Sequence, residues 1–358
     1  MNMKVGIIGA GAVGRAYAAL LAQNGHSPFL WAPRNPIQPS SADAVEIVAY
    51  GAISSNTQAG VLARPESLAE MDAVIFCVLG NAHKAVMDRV APYLHDHQLI
   101  LISSHCSLSA LYLFELLQGR GVQVPVFAIA TTVVGASIRG ERVFTPMLRG
   151  EIDVAAIPCS ALPSGINALA ELFGNRFVPS DDLLSISLSN LNPQIHLANS
   201  MLNLTRIEKS ESWDNFGYIT ECVGRLIERL DEERLAAAAA FGVRVRTVQE
   251  HYLKSYENLL PGSSVGAMAQ AIAAQRSEGT PGPRTLATRY LTEDLPFGIA
   301  VTIALGRVAG VPMTLHAAGL ALLSAACGHE FEEDNDLLAV LGLDACSGVE
   351  LQRRVRGS

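Results

Sequence analysis

Asn192 and His196 stand four residues apart in Ser189-Asn190-Leu191-Asn192-Pro193-Gln194-Ile195-His196. On a helix that spacing puts both side chains on one face. An amide beside an imidazole can hold a substrate oxygen while the imidazole handles its proton. Imidazole suits the task because its ordinary pKa lies near neutrality. A second stretch, Arg289-Tyr290-Leu291-Thr292-Glu293-Asp294-Leu295-Pro296-Phe297-Gly298, joins a cation, a phenol and two acids. Its plain reading is a helix start, with Thr292 or Asp294 as N-cap and the acids favoured by the helix dipole. A carboxylate fixed at a helix start can also orient an imidazole, so both readings hold together. The third stretch is Gly9-Ala10-Gly11-Ala12-Val13-Gly14. Gly9 permits a tight turn, Gly11 lets the backbone approach a pyrophosphate, and Gly14 lets helix and strand pack closely. Ala10, Ala12 and Val13 complete this expected cofactor loop, whose helix N-terminus offers free N–H groups to phosphates.

The elements around the loop strengthen it. Residues 4–8 form a β-type run, residues 15–24 a helical stretch, and residues 27–31 a second strand. Further strands are predicted at 73–78, 99–103 and 126–130, with 152–157 and 176–178 extending the sheet and a helix at 83–94. Strands alternating with helices predict an α/β, doubly wound parallel sheet of Rossmann type over residues 1–180. After Asp181 helical periodicity dominates, at 188–204, 219–241, 245–253, 292–309 and 315–327, which predicts an all-α domain over 181–358. In the second of these runs Val223, Leu226, Ile227 and Leu230 make one apolar stripe, while Glu228, Arg229 and residues 231–233 are expected to face water. Pro281-Gly282-Pro283 marks a loop.

The end of the second strand bears on cofactor choice. It reads Trp31-Ala32-Pro33-Arg34, without the acid that holds a ribose 2′-hydroxyl in NAD enzymes. Ala32 removes repulsion toward a 2′-phosphate, and Arg34 can pair with one. NADP is the expected cofactor, with NAD as the other option.

Composition narrows the class. With 358 residues the chain exceeds what one core usually serves. Its 49% apolar and 17% charged residues exclude a largely disordered protein. They point to extensive burial, including a homodimer interface formed after Asp181. The net charge of -8 argues against nucleic acid as a partner, and the basic run Arg353, Arg354, Arg356 reads as a solvated end. Cys77, Cys106, Cys159, Cys222, Cys327 and Cys346 form no C-x-x-C pair and stand at no zinc-ligand spacing to a histidine. They read as reduced thiols without a metal, hence a cytoplasmic protein. The first residues run straight into a strand pattern, and no apolar run is long enough to span a bilayer, so no membrane association is expected.

The three stretches, in this order and spacing, resemble the octopine/nopaline (opine) dehydrogenase family over essentially the whole chain. The likeness is to its bacterial branch, which makes N-(1-carboxyalkyl) amino acids. Residues 190–196 resemble the family's catalytic helix, which continues through 202–208. Gly282-Pro283, residues 289–294 and Gly298 resemble its last signature. The resemblance implies that His196 is the catalytic histidine, Asp294 its partner carboxylate and Asn192 the supporting amide. It implies a reductive condensation of an amino acid with a 2-oxo acid, through an imine that accepts hydride from the nicotinamide. Val78 and His83, in Val78-Leu79-Gly80-Asn81-Ala82-His83, are expected at the cofactor. Both substrates carry carboxylates, so Arg206, Arg139 and Arg289 are substrate candidates, each alternatively a structural ion pair.

Three departures concern substrate fit and cofactor choice. Leu79 stands where the family commonly has proline. Ser103-Ser104-His105-Cys106-Ser107 replaces a glycine-rich turn, and Ala32-Pro33-Arg34 differs from NAD-using relatives. Two other readings are open. A ketopantoate-reductase-like enzyme uses a helix lysine, yet no lysine lies between Lys84 and Lys209. A polyol-type enzyme places lysine five residues before the Asn of its motif, and here that residue is Ser187. A non-catalytic NADP-binding module would keep Gly9, Gly11 and Gly14 but need neither His196 nor Asp294.

Overall fold

The computed structural model describes residues 2–34, 37–38, 43–276 and 279–358. The chain forms two compact units, Met1–Ser187 with Arg353–Ser358, and Leu188–Gln352. The division therefore falls seven residues after the expected 180/181 boundary, and the C-terminal end groups with the first unit. That end is not a solvated tail. It closes the helix Gly348–Arg356, with Arg354 paired to Glu115 at 2.8 Å and Arg356 to Asp182 at 3.1 Å.

The first unit is built on one eleven-stranded sheet. Its strands are β1 (Lys4–Ile8), β2 (Ser27–Trp31), β3 (Ala44–Gly51), β4 (Ser55–Val61), β5 (Ala73–Phe76), β6 (Leu99–Ile102), β7 (Val126–Ile129), β8 (Val134–Arg139), β9 (Arg142–Leu148), β10 (Ile152–Ile157) and β11 (Phe177–Pro179), in the order β11-β10-β7-β6-β5-β1-β2-β4-β3-β9-β8. The central run from β2 through β7 is parallel. Every residue of β5 and β7 is buried, as expected where helices cover both faces. The sheet is mixed overall, because β10 runs antiparallel to β7. Beyond β2 it is extended by two antiparallel hairpins, β3–β4 and β8–β9, which the sequence reading did not include. The helix α1 (Ala12–Gln23) buries Tyr17, Leu20 and Leu21 in the core with Val5, Ile7 and Leu30.

The second unit is helical. Its elements include α6 (Asn192–Leu202), α7 (Leu204–Glu208), α8 (Glu221–Ala240), α9 (Val248–Ser255), α10 (Val265–Ala274), α11 (Arg289–Thr292), α12 (Ala300–Ala309) and α13 (Thr314–Cys327), which follow α2 (His83–Val90), α3 (Ser109–Gln118), α4 (Leu162–Phe173) and α5 (Leu183–Leu188) along the chain. Their core joins Ile195, Leu197, Val223, Ile227, Leu291 and Leu295. The stripe on α8 holds, but its polar face needs correction. Asp231 is 2% exposed and bonds Arg234 at 2.6 Å while accepting the Val248 N–H at 2.9 Å. A charge can be buried there because a partner and a backbone donor meet it. No helix among the described residues is long and apolar enough to cross a membrane.

Candidate active site

In the first unit the glycine loop leaves β1 and enters α1. Gly9 has φ +113, and its N–H donates to the Trp31 carbonyl at 2.8 Å, closing β1 onto β2. A Cβ on Gly14 would lie 1.8 Å from the Gly9 carbonyl oxygen, so only glycine lets the helix sit this close. A Cβ on Gly11 would meet nothing within 4 Å. The space above Gly11 is open, and α1 starts there with no side-chain cap and no acid in its first turn. Ala12 and Val13 thus present first-turn amides to that space. Such a cradle fits a pyrophosphate.

Other expected cofactor contacts are placed differently. Arg34 stands exposed beyond the end of β2. Arg89, which the sequence reading did not single out, reaches the same strand end. Its guanidinium lies 4.9 Å over the Trp31 ring and donates to the Pro33 carbonyl at 3.2 Å. Val78 is half-buried beside Gly9. His83 needs correction as a ligand contact. It is 0% exposed, with Nε2 3.2 Å from the Val78 carbonyl and Nδ1 2.9 Å from Ser109 Oγ. A carbonyl only accepts, so Nε2 carries the hydrogen and Nδ1 accepts from the Ser109 hydroxyl. Burial pushes its pKa down to about 4, and the ring is a neutral prop under the loop. The turn after β6 keeps a glycine-type backbone without glycine: Ser104, Ser107 and Leu108 have φ of +59, +49 and +52.

The second unit brings His196 and Asp294 together. Nδ1 of His196 lies 2.7 Å from Oδ2 of Asp294, and each side chain is 16% exposed. The carboxylate accepts, so Nδ1 carries the hydrogen and Nε2 is left as the imidazole's base. Asp294 can face His196 because it caps nothing. The N-cap of α11 is Thr288, whose hydroxyl accepts from the Tyr290 N–H, and Thr292 Oγ1 donates to the Thr288 carbonyl at 3.1 Å. The expected capping by Thr292 or Asp294 is thereby replaced. A π-helical turn, Leu295–Ile299, follows Asp294, and Asn335 Nδ2 donates to the Pro296 carbonyl at 2.7 Å. A Cβ on Gly298 would lie 2.3 Å from Cγ of Pro193, so the missing side chain lets α6 approach this turn.

Tyr290 stands beside Arg289 in the same stretch. Its ring lies flat on the imidazole of His196, centroids 3.5 Å and planes 9° apart. Burial, and then the charge of Asp294, push its phenol up to about 12. Asn192 opens α6 one turn before His196 and is exposed. Among the arginine candidates, Arg289 belongs to this cluster, with Nε 2.5 Å from Glu293 Oε2. Arg206 is engaged elsewhere, 2.7 Å from Glu211 and 4.3 Å over the Tyr218 ring. Arg139 ends β8 at a hairpin turn of the first unit, exposed and 4.1 Å over Phe144. Among the described residues no three His, Cys, Asp or Glu side chains are grouped as metal ligands.

Comparison with known proteins covers both units. Residues 179–327 match the alpha-helical domain of NAD/NADP octopine/nopaline dehydrogenase, and residues 5–143 match ketopantoate reductase PanE/ApbA. The chain is 28% identical over 357 residues to an opine dehydrogenase of Arthrobacter sp. (strain 1C), covering 98% of each. An octopine dehydrogenase solved with NADH and L-arginine superposes with a TM-score of 0.77 at 17% identity, covering 95% of this chain and 98% of that one. A yersinopine dehydrogenase solved with NADP+ gives 0.67 at 14% identity, covering 100% and 99%.

Proposed function

Since the chain belongs to the octopine/nopaline (opine) dehydrogenase family, we propose that it joins an amino acid to a 2-oxo acid by reductive condensation, with His196 as proton carrier. The chain is an NAD(P)-dependent oxidoreductase acting on CH–NH groups. The observation that carries the site assignment is the 2.7 Å bond between His196 and Asp294.

The amine nitrogen adds to the carbonyl carbon of the oxo acid, and the former carbonyl oxygen leaves as water once protonated. His196 Nε2 takes a proton from the incoming ammonium and returns one to the departing hydroxyl. Asp294 fixes the tautomer and stabilises the imidazolium formed in between. Arg289 binds a substrate carboxylate, its Nε held by Glu293. Asn192, on the same face of α6, holds a substrate oxygen. A bound nicotinamide supplies the hydride that reduces the imine carbon. Gly9 through Gly14 hold its pyrophosphate.

NADP is the preferred form. Ala32 offers no acid to a 2′-phosphate, and Arg34 and Arg89 both stand at the end of β2. The active form is a homodimer through the second unit, whose exposed Leu202, Leu260 and Leu322 are 49%, 74% and 60% accessible. Light scattering at micromolar concentration should give twice the chain mass, and a monomer contradicts it. Six free thiols suit a reducing compartment such as the cytoplasm. NADPH oxidation measured across a matrix of amino acids and 2-oxo acids should turn over only when both are present. Turnover with the oxo acid alone would make the protein a simple 2-oxo acid reductase.

A further inference from the structure

The imidazole of His196 is held on two sides. Asp294 takes its Nδ1 edge, and the ring of Tyr290 covers one whole face at a centroid separation of 3.5 Å and an interplanar angle of 9°. A single hydrogen bond leaves a ring free to rock about the bond axis, whereas a parallel stack removes that freedom. Two constraints together define where Nε2 points. Tyr290 can act as such a wall because its own position is set. The Thr288 hydroxyl accepts its N–H, and Leu291 next to it is 0% exposed in the helical core. The phenol is no rival proton carrier. Burial and the nearby Asp294 charge keep it neutral, with a pKa of about 12. An electron-rich face against an imidazole also favours the protonated ring, the state formed in mid-reaction.

We propose that Tyr290 is the positioning residue of the site, a ring platform that fixes the plane of the His196 imidazole so that Nε2 meets the reacting nitrogen and oxygen. The platform needs the aromatic face and not the hydroxyl. This role rests on the assignment of His196 as proton carrier.

The test compares Tyr290→Phe and Tyr290→Leu in the full chain, with His196→Ala alongside. In the parent protein the His196 Cε1–H and Cδ2–H resonances should be displaced upfield by the stacked ring. The displacement should persist in Tyr290→Phe and vanish in Tyr290→Leu. Turnover should follow it: Tyr290→Phe within about twofold of parent, and Tyr290→Leu about tenfold lower in kcat, the effect of losing one aromatic contact. KM for NADPH should stay unchanged in both. Parental kcat in Tyr290→Leu, with His196→Ala inactive, overturns the platform and leaves His196 in place. A loss in Tyr290→Phe equal to that in Tyr290→Leu also overturns it, since the hydroxyl would then be the active part. Parental kcat in His196→Ala removes the premise instead, whatever the resonances show.

Discussion

Nδ1 of His196 meets Oδ2 of Asp294 at 2.7 Å, a bond that joins residues 98 positions apart in the chain. Both side chains are 16% exposed, so the bond is partly shielded from water. A hydrogen bond to a charged group is worth about 1.5–3 kcal/mol, enough to hold a ring but not to assemble two helices. The approach of α6 to the π-helical turn must come from packing. Both partners belong to the second unit.

Gly298 is where that packing is most sensitive. A Cβ there would lie 2.3 Å from Cγ and 2.7 Å from Cβ of Pro193, and a proline ring cannot swing aside. Gly298→Ala should lower kcat about tenfold or more by shifting His196 from Asp294. The double variant with Pro193→Ala should recover much of the loss. Equal loss in the single and double variants would show that the contact does not set the site.

The cofactor end gives a second expectation. Arg34→Ala should weaken NADPH binding about tenfold or more, the loss of one charge-assisted contact, and leave NADH binding unchanged. Fluorescence titration of both cofactors measures this directly. Equal weakening of the two would remove Arg34 from the 2′-phosphate.

The buried histidines of the first unit predict a pH dependence of stability. Burial pushes His83 down to about 4, and burial with the neighbouring His83 pushes His105 down to about 3. An unfolded histidine titrates near 6.5. Between the folded and unfolded values the unfolded chain binds the extra proton, so stability is full above about pH 6.5 and is lost as pH falls. The window runs from about 6.5 down to the folded value of about 4 for His83. Each histidine contributes a slope of up to about 1.4 kcal/mol per pH unit. His83→Gln should flatten the urea-midpoint profile between pH 6.5 and about 4 relative to the parent. An unchanged slope would mean that His83 is not held neutral.

Much of this was legible before any fold was known, for stated reasons. The glycine loop carries its own conformational logic, and the central strands are continuous apolar runs. The strand β4, Ser-Asn-Thr-Gln-Ala-Gly-Val, has no such run, because a strand with largely half-exposed faces needs none. In β3 the inward residues Val45, Ile47 and Ala49 do alternate, and that signal was readable. Asp231 pairs with Arg234 one turn on along α8, but its burial and the Val248 amide come from tertiary packing. Periodicity cannot report such a partner. Tyr290 was hidden in a different way. Its neighbours in the motif were charged and drew the chemical reading, while a flat contact with a ring 94 residues away leaves no trace in spacing.

In the proposed mechanism His196 moves the proton and Asp294 orients its ring. The most direct measurement is kcat with the best substrate pair for His196→Ala and Asp294→Asn, each first shown by titration to bind NADPH as the parent does. His196→Ala should lose on the order of a hundredfold or more, and Asp294→Asn should lose less, with NADPH affinity unchanged because Gly9, Gly11 and Gly14 are untouched. A folded, NADPH-binding His196→Ala that keeps near-parental turnover would remove His196 as the proton carrier.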